Sequence, residues 1–324
     1  MHDETPHPNR DDSQPERADA GATTADGDAE EAGRTAGPAT DGGTAVGASD
    51  GPSTGSTGSE ATEPVAADGA SEPSGEPVLE LENVVKRYGS ETAVSGLDLT
   101  VREGELVTLL GPSGCGKTTT LRMIAGLETP SDGRIAVGDE VVAGDGAATP
   151  PEERDVGLVF QEFALFPHLT VAENIAFGLN DPDSDAADAR VDELLELVGL
   201  GDYGDRSVTD LSGGQRQRVA LARSLAPEPE VLLLDEPFSN LDVSLRVRMR
   251  EEVKRILDET GVTAVSVTHD QEEALSISDR VAVVNDGTVE QIGDPGDVFE
   301  HPTSRFVASF LGQASFLPAR VSER

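Results

Sequence analysis

The sequence has few of the features that mark exported, disulfide-bonded or membrane-spanning proteins. Cys115 is the only cysteine among 324 residues, which excludes an internal disulfide and fits a reducing cytoplasm. No apolar run approaches the roughly 18 residues that a membrane-spanning helix needs. The first residues, MHDETPHPNRDDSQPERADAG, contain acids and prolines in place of the apolar core of a secretory signal. We therefore expect a soluble chain that stays where it is made.

Lysine is also scarce, since it occurs only at Lys86, Lys117 and Lys254, and the net charge is −38. Residues 1–76 hold 17 acidic residues and 3 arginines, a net charge of −14, so the other −24 belongs to residues 77–324. Acids spread through the whole chain indicate a high-salt cytoplasm, because salt at 1 M screens repulsion beyond about 3 Å. We expect a halophilic, archaeal source; the alternative is an ordinary acidic protein. Nucleic acid is a poor partner for such a surface.

Composition divides the chain near residue 77. Residues 1–76 consist largely of Gly, Ala, Ser, Thr, Pro, Asp and Glu. A segment of this kind buries too little apolar surface to offset the entropy lost on ordering. We predict a disordered acidic tail over 1–76, one folded domain over 77–312, and a short C-terminal segment over 313–324.

Short apolar runs alternate with helical patterns through the folded part. The runs VLELENVVKRY, VGLVF, VLLLD and TAVSVTH predict strands, whereas DARVDELLELVGL and VSLRVRMREEVKRILDETG predict helices. Strands that alternate with helices form a mostly parallel sheet with helices on its faces. The largely helical pattern of residues 166–210 lies between two of these strands. We expect an α/β fold with a helical subdomain inserted into its core.

A phosphate-binding loop is the strongest local motif. GPSGCGKT, residues 111–118, matches G-x-x-x-x-G-K-[ST] and lies between an apolar strand and a helical pattern, as the motif requires. The backbone N–H groups of such a loop and the following helix N-terminus bind phosphate oxygens. We expect Lys117 to reach the β- and γ-phosphates and the Thr118 hydroxyl to bind Mg²⁺. The alternative is a glycine-rich turn with a solvated lysine.

Two adjacent acids follow the strand VLLL. Asp235, at the strand end, would hold Mg²⁺ through water, and Glu236 would act as general base on the attacking water. Taken alone, two acids after a strand form a helix cap or a solvated turn more often than a catalytic pair. A phosphate loop in the same sheet favours the catalytic interpretation. Upstream, the Ser-Gly-Gly turn of LSGGQ suits backbone contact with an anion.

In this order the motifs resemble those of the ATP-binding cassette (ABC) family of transport ATPases, over essentially all of residues 78–312. LSGGQ is the most specific motif, because it distinguishes this family from other phosphate-loop ATPases. The resemblance implies an antiparallel β-subdomain beside the phosphate-loop core. It also implies a homodimer or paired cassette, in which the LSGGQ turn of one subunit closes on the γ-phosphate held by the other. Two ATP molecules would then lie between the two subunits.

The resemblance also gives roles to single residues. Tyr88 of KRYG is expected to stack on adenine, Gln161 to contact Mg²⁺ and the water, and His269 of VTHD to contact the γ-phosphate. Asp242 of SNLD is expected at the dimer seam. Taken singly, the tyrosine could be a core aromatic, the glutamine a hydrogen-bonding residue at a strand end and the histidine a helix cap. Their order and spacing favour the family roles.

The expected site therefore has three overlapping sets. The catalytic set is Lys117, Gln161, Glu236 and His269. The metal set is Thr118, Gln161 and Asp235. The nucleotide-binding set comprises Tyr88, Gly111, Pro112, Ser113, Gly114, Cys115, Gly116, Lys117, Thr118, Thr119, Ser212, Gly213, Gly214, Gln215 and Asp242.

Three classes of function fit such an ATPase: a transporter motor, an ATPase acting on nucleic acid or the ribosome, and an inactive binding module. The interval from Lys117 to Asp235 lacks the long coiled coil of DNA-repair relatives, and ribosome-acting relatives usually carry two cassettes. An inactive module would be expected to lack Glu236 or His269. The transporter motor is favoured. We expect it at the cytoplasmic face of the membrane, with separate permease subunits and, indirectly, an extracytoplasmic substrate-binding protein.

Longer segments resemble one importer subgroup. VFQEFALFPHLTVAENIAFGL, DEPFSNLDVSLR and THDQEEAL are similar to the ATPases of ferric iron, polyamine, sugar, molybdate and sulfate importers, and the closing GDPGDVFEHPTSRFVASFLGQASFLPARV is most similar to the ferric-iron branch. Residues 313–324 are expected to be a remnant where the subgroup's regulatory β-barrel domain would begin. Residues 163–168 are expected to form an exposed docking surface for a cytoplasmic helix of the permease.

Overall fold

The computed structural model describes residues 75–179, 181–182 and 184–312. The predicted disordered tail lies outside the described residues except for residues 75 and 76, and the predicted C-terminal remnant lies outside them entirely. Within these ranges, no helix is long and apolar enough to cross a membrane.

Strands and helices alternate along the described chain. The strands are β1 (Pro77–Tyr88), β2 (Glu91–Arg102), β3 (Leu106–Leu110), β4 (Asp132–Val137), β5 (Glu140–Gly144), β6 (Ala147–Ala148), β7 (Val156–Val159), β8 (Val231–Asp235), β9 (Thr263–Thr268), β10 (Arg280–Asn285) and β11 (Thr288–Gly293). The α-helices are α1 (Lys117–Ile124), α2 (Val171–Ala176), α3 (Asp185–Leu197), α4 (Gly213–Leu225), α5 (Val243–Thr260), α6 (Gln271–Ile277), α7 (Pro295–Glu300) and α8 (Arg305–Leu311).

A six-stranded, mostly parallel sheet forms the core, in the order β11-β10-β3-β9-β8-β7. The strands from β10 to β7 pair in parallel, and β11 joins the edge antiparallel to β10. All residues of β3 and β9 are buried, as expected where helices cover both faces of a parallel sheet. The predicted α/β fold is confirmed.

A second sheet is antiparallel and has the order β2-β1-β4-β5-β6. It shares an apolar cluster with the parallel sheet: Leu79 and Val94 pack together with Val107, Val265 and Leu121 of α1. Burial of these side chains fixes the antiparallel sheet against α1 and against the strand that precedes it. The expected antiparallel β-subdomain is therefore present and adjoins the phosphate loop.

The helical subdomain lies between β7 and β8 in the chain, as predicted. Thr170 begins α2 with a capping box, in which its hydroxyl accepts from the Glu173 N–H and the Glu173 carboxylate accepts from the Thr170 N–H. Helix α3 turns Val191, Leu194 and Leu195 toward the interior. These side chains join a cluster with α4, so α4 connects the subdomain to the core.

The far end of α1 is fixed by a buried arginine. Arg154 is only 4% exposed and donates to the backbone oxygens of Met123 at 2.7 Å, Ile124 at 3.0 Å and Thr149 at 2.7 Å. Burial lowers the pKa of its guanidinium. The carbonyls at a helix C-terminus satisfy that charge, because the helix dipole is negative there. The helix that begins at Lys117 is thus fixed at the end opposite the phosphate loop.

Candidate nucleotide-binding and catalytic site

The predicted catalytic residues meet at one edge of the parallel sheet. The loop of residues 111–116 follows β3, Gln161 follows β7, Glu236 follows β8 and His269 follows β9. Carboxyl ends of parallel strands lie on the same side of a sheet, which is where open α/β folds bind ligands. Four separate segments of the sequence therefore contribute to one site.

Lys117 lies over its own phosphate loop. Its Nζ donates to the backbone oxygens of Gly111 at 2.8 Å and Pro112 at 2.9 Å, and lies 3.7 Å from the Cys115 Sγ. Both Lys117 and Cys115 are buried, at 5% and 4% exposure. The phosphate loop thus folds around the ammonium group of Lys117. A positive charge enclosed by a glycine-rich loop is suited to binding phosphate.

Two glycines seat the phosphate loop tightly. Gly116 has φ 102°, and a Cβ there would lie 2.4 Å from the backbone oxygen of Ala93 in β2. A Cβ on Gly111 would lie 2.2 Å from the backbone oxygen of Val284 in β10. Real Cβ atoms do not approach backbone oxygens so closely, so only glycine fits. The loop is held between the antiparallel sheet and the edge of the parallel sheet.

The carboxylate of Glu236 is held from both sides. Its Oε1 lies 3.2 Å from the Nδ1 of His269, and its Oε2 accepts from the Nε2 of Gln161 at 3.4 Å. The Glu236 backbone is left-handed, with φ 44°, and its N–H donates to Val267 in β9 at 3.0 Å. This conformation costs a non-glycine residue about 1–2 kcal/mol. Such strain persists where the surroundings enforce it, typically at functional sites.

Asp235 and Thr118 offer oxygen ligands beside this carboxylate. Burial raises the pKa of Asp235, and the charge of Glu236 raises it further, whereas Arg122, the Thr118 hydroxyl and Lys117 lower it. A bound cation would favour the charged form of the aspartate. Carboxylate and hydroxyl oxygens are the ligands that Mg²⁺ prefers, so the donor set fits that ion.

Tyr88 ends β1 with its ring 45% exposed. Lys86 lies with Nζ 4.9 Å from the ring centroid, and the same Nζ bonds to the Thr129 backbone oxygen and to the Glu128 carboxylate, each at 2.8 Å. The ring is therefore oriented by fixed neighbours and still open on the surface. It is suited to stacking on a flat base.

The LSGGQ residues form a second cluster. Ser212 caps α4, where its hydroxyl accepts from the Gln215 N–H at 3.3 Å and the Gln215 Oε1 accepts from the Ser212 N–H at 2.9 Å. Gly213 and Gly214 face the start of α5, which Asp242 caps by accepting from the Leu245 N–H. The described contacts of this cluster are within α4 and α5 and do not include the phosphate loop. Among the described residues, no hydrogen bond links residues 212–215 or Asp242 to the carboxylate of Glu236.

Two residues that support the site were not predicted. Ser239 accepts from the Gln161 Nε2 at 3.2 Å and donates to the Glu236 backbone oxygen at 2.9 Å. Asn240 donates to the Gln161 backbone oxygen at 2.8 Å. Both lie in DEPFSNLD, three and four positions after the proposed base. The sequence signal for both residues is their polar side chains, three and four positions after an acid at a strand end.

The prediction of an exposed surface at residues 163–168 is wrong for Phe163, which is 7% exposed and packs in the core of the helical subdomain. Phe163 and Ala164 are both left-handed, and Arg223 donates to their backbone oxygens at 2.9 and 2.7 Å. This turn directs the Phe163 ring inward. The exposed aromatic nearby is Phe177, 61% exposed, whose ring packs on Phe166 with centroids 4.3 Å apart.

Comparison with known proteins shows the family to which the chain is similar. Residues 94–239 match the ABC transporter family. The chain is 53% identical over 242 residues to a Fe(3+) ions import ATP-binding protein of Brucella abortus, covering 74% of this chain and 67% of that protein. It is 53% identical over 247 residues to the spermidine/putrescine import ATP-binding protein of Thermobifida fusca, covering 74% and 63%. A trehalose/maltose import ATP-binding protein of Thermococcus litoralis is 51% identical over 251 residues, covering 76% and 68%.

Solved structures that are similar to this chain belong to the same family as its sequence relatives. The ATP-binding cassette MJ0796, in a dimeric post-hydrolysis state bound to ADP and Pi, superposes with a TM-score of 0.58 and 33% identity, covering 67% of this chain and 98% of that one. The protein cbiO1 from Clostridium perfringens, part of an ABC transporter complex, gives 0.63 and 30% identity, covering 69% and 91%. The chain belongs to the ABC transporter family of ATP-binding proteins, whose members are ATPases coupled to transport.

Proposed function

We propose that this chain is the ATP-hydrolysing subunit of an importer, acting at the cytoplasmic face of the membrane through separate permease subunits. The observation that carries the catalytic part is the Glu236 carboxylate, held between Gln161 and His269 at the sheet edge that bears the phosphate loop. The import part rests on relatives whose names state import of iron, polyamines or sugars. A halophilic, archaeal source stays a prediction.

In the proposed reaction, Glu236 accepts a proton from the water that attacks the γ-phosphorus, as the bond to the bridging oxygen of ADP breaks. Lys117 and the backbone N–H groups of residues 111–119, except Pro112, bind the β- and γ-phosphate oxygens, and His269 bonds to the γ-phosphate. Mg²⁺, held by Thr118, Gln161 and Asp235, would neutralise charge on those oxygens. Tyr88 stacks on the adenine.

The signature residues 212–215 and Asp242 are proposed to complete the site of a second subunit. Ser212 caps the N-terminus of α4, and the backbone N–H groups of a helix N-terminus favour an anion. The related cassette MJ0796 is a dimer in its post-hydrolysis state. Two copies, or this chain and a paired cassette, would enclose two ATP molecules.

Ferric iron is the solute that we propose. The Brucella abortus iron-import relative and the Thermobifida fusca polyamine-import relative are equally identical to this chain, so a polyamine is the second candidate. Solute is selected by the other subunits of an importer, which explains why the ATPase sequences are so similar. An extracytoplasmic binding protein would bring the solute to the permease.

The solute is tested with the full chain assembled in vesicles with its permease subunits. Ferric-loaded binding protein is expected to stimulate ATP hydrolysis above the basal rate, because a loaded partner favours closure of the two ATPase subunits around ATP. Unloaded binding protein is the control. If a spermidine-loaded partner stimulates and the ferric-loaded one does not, the iron assignment fails. If no loaded partner stimulates, the importer assignment fails with it.

The permease is proposed to dock beside Phe177 on the helical subdomain. Phe177→Asp is expected to remove most of the stimulation by loaded binding protein while basal hydrolysis stays near the wild-type rate, because the exposed ring is lost from the surface without opening the core. Phe299→Asp, at a ring of similar exposure on α7, is the matched control and should keep the stimulation. Phe163→Asp should instead destabilise the fold, since it buries a charge. Normal stimulation of the Phe177 variant would reject this docking surface.

A further inference from the structure

We propose that Glu273 is a positioning residue for His269, whose buried carboxyl group fixes, through Thr268, the turn that carries the histidine. The inference rests on the proposed function, because it matters only if His269 acts in hydrolysis. Glu273 lies in the first turn of α6, four positions after the histidine. Its carboxyl group bonds to Thr268 and its N–H to Asp270, and no hydrogen bond among the described residues links it to the phosphate loop.

The contacts of Glu273 enclose the turn on both sides of the histidine. The Thr268 hydroxyl donates to the Glu273 Oε2 at 2.9 Å and accepts from the Asp270 N–H at 3.0 Å. The Glu273 N–H in turn donates to the Asp270 Oδ1 at 3.2 Å. The residues immediately before and after His269 are therefore tied to each other and to α6. The backbone between them has little freedom to rotate the imidazole away from Glu236.

Burial of the Glu273 carboxyl group costs free energy of folding, which the Thr268 contact must offset. Glu273 and Thr268 are each 2% exposed, and the Oε1 of Glu273 is buried without a hydrogen-bond partner among the described residues. A methionine would fill a similar volume without burying a polar group. Burial is the main cause that raises the pKa of Glu273 to about 8, so the side chain is mostly neutral at pH 7. What the glutamate provides and a methionine cannot is the acceptor for the Thr268 hydroxyl.

The distance at stake is the 3.2 Å between the His269 Nδ1 and the Glu236 Oε1. If the turn loosens, His269 leaves its position, and a misplacement of about 1 Å can cost about 100-fold in rate. Apart from the proposed contact of His269 with the γ-phosphate, nucleotide binding depends on other elements, namely the phosphate loop and Tyr88. Loss of the Glu273 contact should therefore lower kcat and leave the KM for ATP nearly unchanged.

The test compares three single variants and one double variant of the full chain in steady-state ATPase assays. Glu273→Met and Thr268→Val each remove the hydrogen bond, and each is expected to lower kcat by about tenfold or more at constant KM. The double variant should lose no more than Thr268→Val alone, because the valine already removes the contact with Glu273 together with the acceptor of the Asp270 N–H. Glu273→Gln keeps an oxygen acceptor of the same reach and should stay within about threefold of wild type.

Two results would overturn the inference. One is wild-type kcat in Thr268→Val, which decides the question even if Glu273→Met does not fold. The other is an equal loss in Glu273→Gln and Glu273→Met, which would assign the effect to packing. Glu236→Gln is measured in parallel: if it hydrolyses ATP normally, the proposed function fails, whereas an inactive Glu236→Gln beside a fully active Thr268→Val rejects only the role of Glu273.

Discussion

Replacing Glu236 by glutamine is expected to lower the rate of ATP hydrolysis by about 10²- to 10⁴-fold while ATP binding persists. The amide keeps the size of the side chain and can still bond to Gln161 and His269, but it cannot take the proton of the attacking water. Lys117 and the phosphate loop are unaltered. The measurements are the steady-state ATPase rate and equilibrium binding of ATP to the purified chain.

A charge-matched control separates chemistry from electrostatics. Glu272→Gln removes one negative charge from an 85% exposed side chain near the same turn and should keep the wild-type rate. The Glu236 variant should also hold ATP long enough for dimers to be seen by size-exclusion chromatography. Turnover within about threefold of wild type in Glu236→Gln would remove the general base from the mechanism.

Gly116→Ala is expected to weaken ATP binding by at least about tenfold and to destabilise the fold. The added Cβ would meet the Ala93 backbone oxygen at 2.4 Å, and φ 102° is a strained conformation for alanine that costs about 1–3 kcal/mol. The phosphate loop must move away from β2, so its backbone N–H groups no longer all point toward the phosphates. A loss of about 1.4 kcal/mol of binding energy already gives the tenfold change. Titration with ATP and thermal unfolding measure the two effects.

Gly146→Ala supplies the matched control for backbone strain. Gly146 also has positive φ, 88°, but no atom of the described residues beyond its chain neighbours lies within 4 Å of its Cβ position. It follows β5 in the antiparallel sheet, away from the phosphate loop. This variant should lose stability and keep wild-type ATP affinity. An unchanged ATP affinity in Gly116→Ala would show that contact with β2 does not shape the phosphate loop.

The parts of the site that the sequence predicted are those encoded by continuous segments. Residues 111–118 carry strand end, turn and helix start in one motif, so the phosphate loop and its lysine could be placed without coordinates. Asp235 and Glu236 follow an apolar run that can only be a buried strand. Chain order and the family resemblance supplied Gln161 and His269. Their spacing from Glu236 depends on strand adjacency in the sheet, which no local pattern encodes.

The parts that escaped prediction depend on long-range packing or on backbone conformation. Ser239 and Asn240 bond to Gln161 because their turn lies against the segment after β7, some eighty positions earlier in the chain. Phe163 lies in an aromatic and apolar segment that suggested a surface docking site. The left-handed backbone of Phe163 and Ala164 instead turns its side chain into the core. Glu273 reads as a solvated acid on a short helix, and only burial beside Thr268 distinguishes it from Glu272. Tertiary contacts overrode local preference at each of these positions.

Arg223 connects helix α4 to the loop that follows Gln161. It lies in the last turn of α4, the helix that begins at the signature residues, and its guanidinium donates to the backbone oxygens of Phe163 and Ala164, just after Gln161. Burial lowers the pKa of this guanidinium. A displacement of the loop after Gln161 must therefore carry α4 with it or break two charge-assisted hydrogen bonds. The loop after Gln161 and α4 are therefore mechanically coupled, and the signature residues 212–215 lie at the opposite end of α4 from Arg223.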